Sequence, residues 1–117
     1  MSTRARIGLE LSDGSILSAY HHWDGYPEWL GRNLKIHFNS RNKASELIDG
    51  GDMSTCLNDN FEAEYYGTAC PPRLMSFYEY LDKLNNEEYA YIFRNNEWVC
   101  YKMHEFDDVQ PELVPIP

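Results

Sequence analysis

Long apolar runs, paired cysteines and internal repeats are all missing from this sequence. No stretch approaches the roughly 18 apolar residues that a membrane-spanning helix needs, so the sequence predicts a soluble protein. Its three cysteines, Cys56, Cys70 and Cys100, form an odd set without CxxC spacing, and no charged-then-apolar leader precedes Arg4. These absences argue against secretion and against a disulfide framework. We therefore expect free thiols in a reducing cytoplasm.

Basic residues are also scarce. Lys and Arg number 10 against 19 Asp and Glu, which gives a formal net charge of -9. A surface of this charge repels a phosphate backbone, so duplex nucleic acid is a poor partner. Because no apolar run is long enough to span a bilayer, we expect no membrane partner either. An acidic surface suits a basic protein partner or a mimic of DNA, although it can equally serve solubility alone.

Apolar residues are plentiful enough for one core. They make up 43% of the 117 residues, and aromatic residues make up 15%, which predicts a single domain spanning residues 1–117. The acidic segment 105–117 contains Pro111, Pro115 and Pro117. We expect this tail to be extended or disordered, with docking limited to Leu113 and Val114.

The alternation of Ile7, Leu9 and Leu11 with polar residues predicts a first strand over residues 4–11. Asp13-Gly14 is typical of a tight two-residue turn, after which the chain returns as a second strand. That turn would place Leu11 opposite Ile16, Leu9 opposite Ser18, Ile7 opposite Tyr20 and Ala5 opposite His22. In this register His22 faces the core, and His21 and Trp23 face the other side.

Helical signals occupy the middle of the chain. Pro27 suits the first position of a helix through Phe38, and Ser40 can cap a second helix that Gly50-Gly51 would end. Residues 52–70 read as a loop with one short strand. Pro71-Pro72 then predicts a third helix through Leu84, on the spacing of its apolar residues.

A second hairpin is predicted near the end of the chain. Residues 89–93 and 98–103 alternate around Asn95-Asn96, which would pair Phe93 with Trp98 and Ile92 with Val99. The expected fold is α+β, an antiparallel sheet built from the N- and C-terminal hairpins with two to three helices packed on one face.

The densest group of chemically useful side chains is His21-His22-Trp23-Asp24-Gly25-Tyr26-Pro27. It lies where a strand gives way to a helix, a position where concave sites often form. The first backbone N–H groups of that helix would favour an anion such as phosphate.

This segment carries a resemblance. His22-Trp23-Asp24-Gly25-Tyr26-Pro27, with Gly31 and Leu34, resembles a widespread family of small tailed-phage proteins of unassigned function. Met1-Ser2-Thr3-Arg4, Ile7-Gly8, Asp13-Gly14-Ser15, Leu47-Ile48 and Gly51-Asp52-Met53-Ser54 are similar to that family as well, so the match covers about residues 1–54. The resemblance implies a phage origin and action in the cytoplasm of an infected bacterium, and proteins of this kind generally act by binding.

Three interpretations of the segment stay open. His22 could be a general base oriented by Asp24, although no nucleophile motif accompanies it. The histidines His21, His22, His37 and His104 could hold a metal, but adjacent strand residues point in opposite directions and no ligand spacing appears. Alternatively His22 is a core residue, Asp24 accepts backbone hydrogen bonds at the helix start, and Trp23 and Tyr26 fill the junction.

The favoured hypothesis is a non-enzymatic binding protein that captures a small nucleotide-like signal of host defence. Arg4, Arg6, Arg32 and His21 are the cations nearest in sequence to the segment, and aromatic rings stack on bases. The alternatives are a protein-binding inhibitor or modulator of a host enzyme and a small hydrolase using His22 and Asp24. The candidate ligand-binding residues are His21, His22, Trp23, Asp24, Tyr26 and Arg32. We expect no cofactor and no metal, and the sequence leaves homo-oligomerisation open.

Overall fold

A computed structural model describes residues 3–67, 70–82, 87–103 and 110–117 of the chain. Within these ranges eight strands form one sheet and three helices accompany it. The strands are β1 (Ala5–Glu10), β2 (Ile16–His21), β3 (Met53–Thr55), β4 (Glu64–Tyr65), β5 (Arg73–Met75), β6 (Tyr89–Arg94), β7 (Glu97–Lys102) and β8 (Glu112–Val114). Helix α1 joins a π-helical segment, Pro27–Gly31, to an α-helical one, Arg32–His37, and is followed by α2 (Arg41–Asp49) and α3 (Phe77–Tyr80).

The two predicted hairpins share one sheet, which confirms the α+β class. The strand order is β4-β3-β2-β1-β6-β7-β8, and β5 pairs with the first half of β2 beside β3. The prediction of an antiparallel sheet is wrong, because β1 runs parallel to β6 and β2 runs parallel to β3. The path of the chain between the hairpins fixes their relative direction, and the local pattern of either hairpin does not specify it.

The register of the first hairpin differs from the predicted one by one residue. Leu9 lies opposite Leu17 and Ala5 opposite His21. The reason is the turn, in which the N–H of Leu11 donates to the carbonyl of Ser15 at 2.8 Å, so the loop holds three residues rather than two. A shift of one residue exchanges the two faces of a strand, and the prediction for the histidines is therefore reversed. His21 lies in the core and His22 does not.

The main core lies between the sheet and the first two helices. Ile7, Leu9, Ala19, Tyr91 and Phe93 from the strands pack against Leu30, Leu34, Leu47 and Ile48 from α1 and α2. Pro27 occupies the start of α1, and Ser40 caps α2 by accepting from the N–H of Lys43, as predicted. The second hairpin also has the predicted register, with Phe93 opposite Trp98 and Ile92 opposite Val99.

The predicted helix over residues 72–84 is wrong in its first half. Residues 73–75 form β5, which pairs with Ile16, Leu17 and Ser18, and α3 begins only after Ser76. Met75 and Tyr80 pack with Ile16, Ala90 and Ile92 on the face of the sheet opposite α1 and α2. Two helices, α1 and α2, share one face as expected, but the expectation that the helix after Pro72 packs beside α1 is wrong. The end predicted at Leu84 lies outside the described residues.

The last described residues bring the tail back to the sheet. Within residues 110–117, β8 pairs with Cys100, Tyr101 and Lys102 of β7. Val114 packs against the main core as expected, but the other docked residue is Ile116 and not Leu113, which is 61% exposed. Residues 104–109 of the predicted tail lie outside the described ranges.

Candidate functional site

The conspicuous segment continues β2 past its last strand residue. The N–H groups of His22 and Trp23 donate to the carbonyls of Met53 and Ser54 at 3.1 and 3.0 Å. These bonds extend the pairing with β3, so the segment is fastened to the β3–β4 region. Trp23 remains 50% exposed at the surface.

Gly25 fixes the segment to the sheet from two directions. Its N–H donates to the carbonyl of Thr3 at 2.8 Å, and its carbonyl accepts from the buried hydroxyl of Tyr91 at 2.7 Å. A Cβ at this position would lie 2.7 Å from the Thr3 oxygen and 2.8 Å from the Cβ of Ala5. The glycine in the motif therefore has a structural role, since a larger residue would push β1 away.

Asp24 is not the N-cap residue of the helix that follows it. It has a positive φ of 53°, which aspartate tolerates better than most residues, and the N-cap residue of α1 is Tyr26, which provides no side-chain cap. Tyr26 is instead the aromatic residue whose phenol feels the nearby Asp24 charge. Desolvation and then the charge of Asp24 raise the pKa of the Tyr26 phenol.

His21 is a core residue. Its ring is fully buried, and its Nε2 accepts from the backbone N–H of Cys56 at 3.0 Å. The proton must then lie on Nδ1, which has no hydrogen-bond partner among the described residues. Burial lowers the pKa of His21 to about 3, so the ring is neutral at physiological pH. Burial also raises the pKa of the Cys56 thiol to about 12, which leaves that thiol unreactive.

His22 belongs to a different group of side chains from Asp24. Its Nδ1 lies 2.7 Å from the hydroxyl of Tyr20, and its ring meets that of Trp23 edge-on at 4.6 Å. Where the chain is described, no hydrogen bond joins His22 to Asp24. The pair required by the hydrolase hypothesis is not assembled in this structure.

Trp23 and Asp24 line a cleft of about 560 Å³, which we call the acidic cleft. Trp29, Asp59 and Glu64 line it too, and no Lys or Arg is among its lining residues in the part of the chain that the structure describes. Its other lining residues are Ser54, Thr55, Leu57, Asn58 and Asn60. The cleft combines two indole rings with three carboxylates, a combination that favours a cation.

The loop between β3 and β4 forms one wall of the acidic cleft, and Asn58 organises it. The side-chain oxygen of Asn58 accepts from the N–H groups of Asn60 and Glu62 at 2.8 and 3.0 Å. The N–H of Asn58 donates to the carbonyl of Glu62, and the N–H of Phe61 donates to the carbonyl of Asn58. Because the loop satisfies its own backbone groups, its tip has a defined shape.

A second cleft of about 320 Å³ lies beside the same loop, and we call it the aromatic pocket. Phe38, Phe61 and Tyr65 line it together with Leu47, and Lys43, Glu46 and His37 also contribute. Phe61 is 76% exposed and has a positive φ of 60°.

The candidate residues named from the sequence do not come together in one place. Trp23 and Asp24 line the acidic cleft, and Tyr26, two residues after Asp24, does not. His21 is buried, His22 is bonded to Tyr20, and Arg32 is exposed on α1; none of these three lines either cleft. Sequence reasoning missed the contribution of residues 57–65. The run Asn58-Asp59-Asn60 marked a turn, but nothing local showed that this turn meets Trp23.

Among the described residues, no group of three or more His, Cys, Asp or Glu is placed to hold a metal ion. None of the described helices has the length and apolar character needed to cross a membrane. Cys56, Cys70 and Cys100 are free. Comparisons with protein-family models, with curated proteins and with solved structures gave no match.

Proposed function

We propose that this chain is a non-enzymatic binding protein whose acidic cleft receives a cationic side chain of a partner protein. The observation that carries the proposal is the lining of the cleft, which includes Asp24, Asp59, Glu64 and the half-exposed Trp23. A guanidinium or ammonium group gains attraction from the carboxylates and from the face of an indole ring. The net charge of -9 adds long-range attraction for a basic partner.

The same geometry favours this function over capture of a nucleotide-like signal. Of the cations expected to hold phosphates, Arg4 lies 3.7 Å from Glu88, and Arg6 is 5% exposed and lies 3.6 Å from Glu87. His21 is buried and neutral, and Arg32 is exposed but lines neither cleft. A phosphate in the acidic cleft would meet carboxylates, which repel it.

The identity of the partner is proposed on the resemblance. The likeness of His22-Trp23-Asp24-Gly25-Tyr26-Pro27 to tailed-phage proteins supports a host protein, bound in the cytoplasm of an infected bacterium. Binding would then inhibit or modulate that host protein. Exposed Trp and Tyr side chains act as anchors in many protein interfaces, and Trp23, Tyr65 and Tyr66 are all exposed here.

The test is a titration of the intrinsic tryptophan fluorescence with hexa-arginine, hexa-glutamate and ATP as separate probes. We expect saturable binding of hexa-arginine with no response to the other two. The Asp59→Asn variant should weaken hexa-arginine binding about tenfold, because it removes one of the charges that line the cleft. Trp23→Phe should remove much of the signal, which identifies the cleft as its source.

Glu97→Gln is the matched control, since Glu97 is an exposed carboxylate on β7 that lines neither cleft. It should leave the affinity within about twofold. Equal losses in both variants would mean that the net charge alone attracts the peptide, and the proposal would be wrong. Saturable binding of ATP without binding of hexa-arginine would instead support the nucleotide hypothesis.

A further inference from the structure

The aromatic pocket is built from residues that are fixed before any ligand arrives. The hydroxyl of Tyr65 donates to the carbonyl of Leu47 at 2.7 Å, which holds one wall against α2. The Tyr65 ring covers Gly50 so closely that a Cβ there would overlap it. Leu47, at the base of the pocket, is 3% exposed. The pocket is therefore an open recess of mixed polar and apolar lining, in which the Tyr65 wall is held in place by a hydrogen bond.

Phe61 is the unusual member of this pocket. A φ of 60° is uncommon for a bulky residue and is normally taken by glycine or asparagine. Its ring is also 76% exposed, so burial within this chain does little to offset the strain. Asn60 precedes Phe61, and a swap of the two residues would suit the backbone better. Contacts among the described residues therefore do not account for an aromatic ring here, whereas a contact with another molecule would.

The charge around the pocket decides what kind of molecule can make that contact. The loop that carries Phe61 also carries Asp59, and Glu64 and Tyr65 are adjacent in β4, so the acidic cleft and the aromatic pocket share a wall. A second copy of this chain would bring another net charge of -9 to the same surface. A nucleic acid or an anionic lipid would likewise be repelled. A basic segment of another protein matches this surface.

We propose that the aromatic pocket receives a bulky apolar side chain of the same partner segment whose Arg or Lys enters the acidic cleft. The recognised motif is then bipartite, a basic residue and a large apolar residue on the two sides of the β3–β4 loop. This inference rests on the proposed function, because it assigns the pocket to the partner that the acidic cleft binds. Phe61 supplies the exposed ring that packs on the apolar residue.

The experiment uses short synthetic peptides in a Gly-Ser background. One series carries an Arg pair and a single Phe at separations of about two to eight residues, which an extended chain spans at about 3.3 Å per residue. A second series carries the Arg pair alone, and a third carries Phe alone. Fluorescence anisotropy with labelled peptides gives each affinity. We expect the combined peptide to bind about tenfold tighter than the Arg pair alone at a narrow range of separations.

The Phe61→Asn variant separates this role from a structural one. Asparagine accepts a positive φ, so the variant should melt at the same or a higher temperature than the parent. It should also lower affinity for the combined peptide to that of the Arg pair alone, and leave binding of the Arg pair unchanged. Tyr78→Asn is the matched control, since Tyr78 is an 87% exposed aromatic on α3, which packs on the opposite face of the sheet. It should alter neither affinity.

Two results would overturn the inference and leave the proposed function standing. One is binding of the Arg pair with no gain from Phe at any separation. The other is a gain that survives in Phe61→Asn. Failure of every Arg peptide to bind would overturn the proposed function and the inference together, so the two failures are distinguishable.

Discussion

At the scale of single residues, His21 and His22 show how one step in strand register changes the chemistry of a site. The sequence supported a core His22, and the structure buries His21 instead. Asp13-Gly14 is compatible with both a two-residue and a three-residue loop, so the sequence alone could not choose the register. With the observed loop, His22 bonds to Tyr20, and His21 bonds to Cys56 inside the core.

The buried His21 predicts a dependence of stability on pH. Its pKa falls from 6.5 to about 3 on folding because burial disfavours the charged ring. Between these values the unfolded chain binds a proton that the folded chain does not, so stability is complete above pH 6.5 and declines as the pH falls. We expect the free energy of unfolding to drop by about 1.4 kcal/mol between about pH 7.5 and pH 5.5, measured by urea denaturation.

Two variants test the source of this decline. His21→Gln keeps an acceptor for the Cys56 N–H and does not titrate, so the variant should be less stable near neutral pH but should lose the decline in this window. His37→Gln, at an exposed histidine of α1, should retain it. A decline that persists unchanged in His21→Gln would show that another group is responsible.

At the scale of elements, the parts that could be predicted are those specified by neighbouring residues. The second hairpin has its expected register because Asn95 and Asn96 both adopt positive φ, at 51° and 63°, as a two-residue turn of this kind requires. Helix α2 has its expected cap at Ser40. The parallel pairing of β1 with β6 depends on residues more than 80 positions apart along the chain, and no local pattern encodes it.

The helix predicted after Pro72 is wrong for a different reason. The apolar spacing of Leu74, Phe77 and Leu81 fits a helix, but the open edge of β2 provides hydrogen bonds that residues 73–75 take up as a strand. As a result Leu74 is 64% exposed, and Met75 is the residue that enters the core. Tertiary pairing has overridden local helical propensity here.

A substitution at Ser76 can distinguish the observed strand and short helix from the helix that the sequence predicts over residues 72–84. In α3 it is the N-cap residue, and its side chain accepts from the N–H of Glu79 at 3.1 Å in a capping box. Ser76→Ala should therefore lower the free energy of unfolding by about 1 kcal/mol. Inside a helix from residue 72 to 84 the same change would raise stability slightly, because alanine is the better helix former.

Chemical denaturation measures the free energy of unfolding of Ser76→Ala, and Ser40→Ala is measured beside it as a reference. Ser40 caps α2, a helix on which the sequence and the structure agree, so its variant sets the size of a cap effect in this protein. Similar losses in the two variants are the expected result. A stabilised Ser76→Ala would contradict the strand and short helix seen here.

At the scale of the whole molecule, the candidate site joins segments that are distant in sequence. The sequence directed attention to Trp23 and Asp24, but Asp59 and Glu64 reach the acidic cleft only because β3 pairs beside the end of β2. The three carboxylates are separated along the chain, and no single motif contains all of them. Net charge could be read from the sequence at once, whereas the places where that charge concentrates required the fold.

The net charge of -9 predicts that salt should affect stability and binding in opposite directions. At about 10 mM salt the Debye length is roughly 30 Å, comparable to the 41 × 35 × 30 Å extent of the molecule, so its excess carboxylates repel one another across the fold. At about 150 mM the length falls to roughly 8 Å and this repulsion is screened. The melting temperature should rise by a few degrees between the two conditions, as followed by circular dichroism.

Binding of hexa-arginine should weaken over the same change in salt, because the attraction that draws it to the acidic cleft is screened as well. We expect a loss of about tenfold or more in affinity. In the Asp59→Asn variant the melting temperature should respond to salt as in the parent, because only one of nineteen acidic residues has lost its charge. The affinity of this variant for hexa-arginine should depend less steeply on salt than that of the parent. Binding that is insensitive to salt would contradict a cationic ligand and would direct attention to the aromatic pocket alone. A melting temperature that falls with salt would instead mean that attractive ion pairs, such as Arg94 with Glu10 at 3.2 Å, outweigh the repulsion.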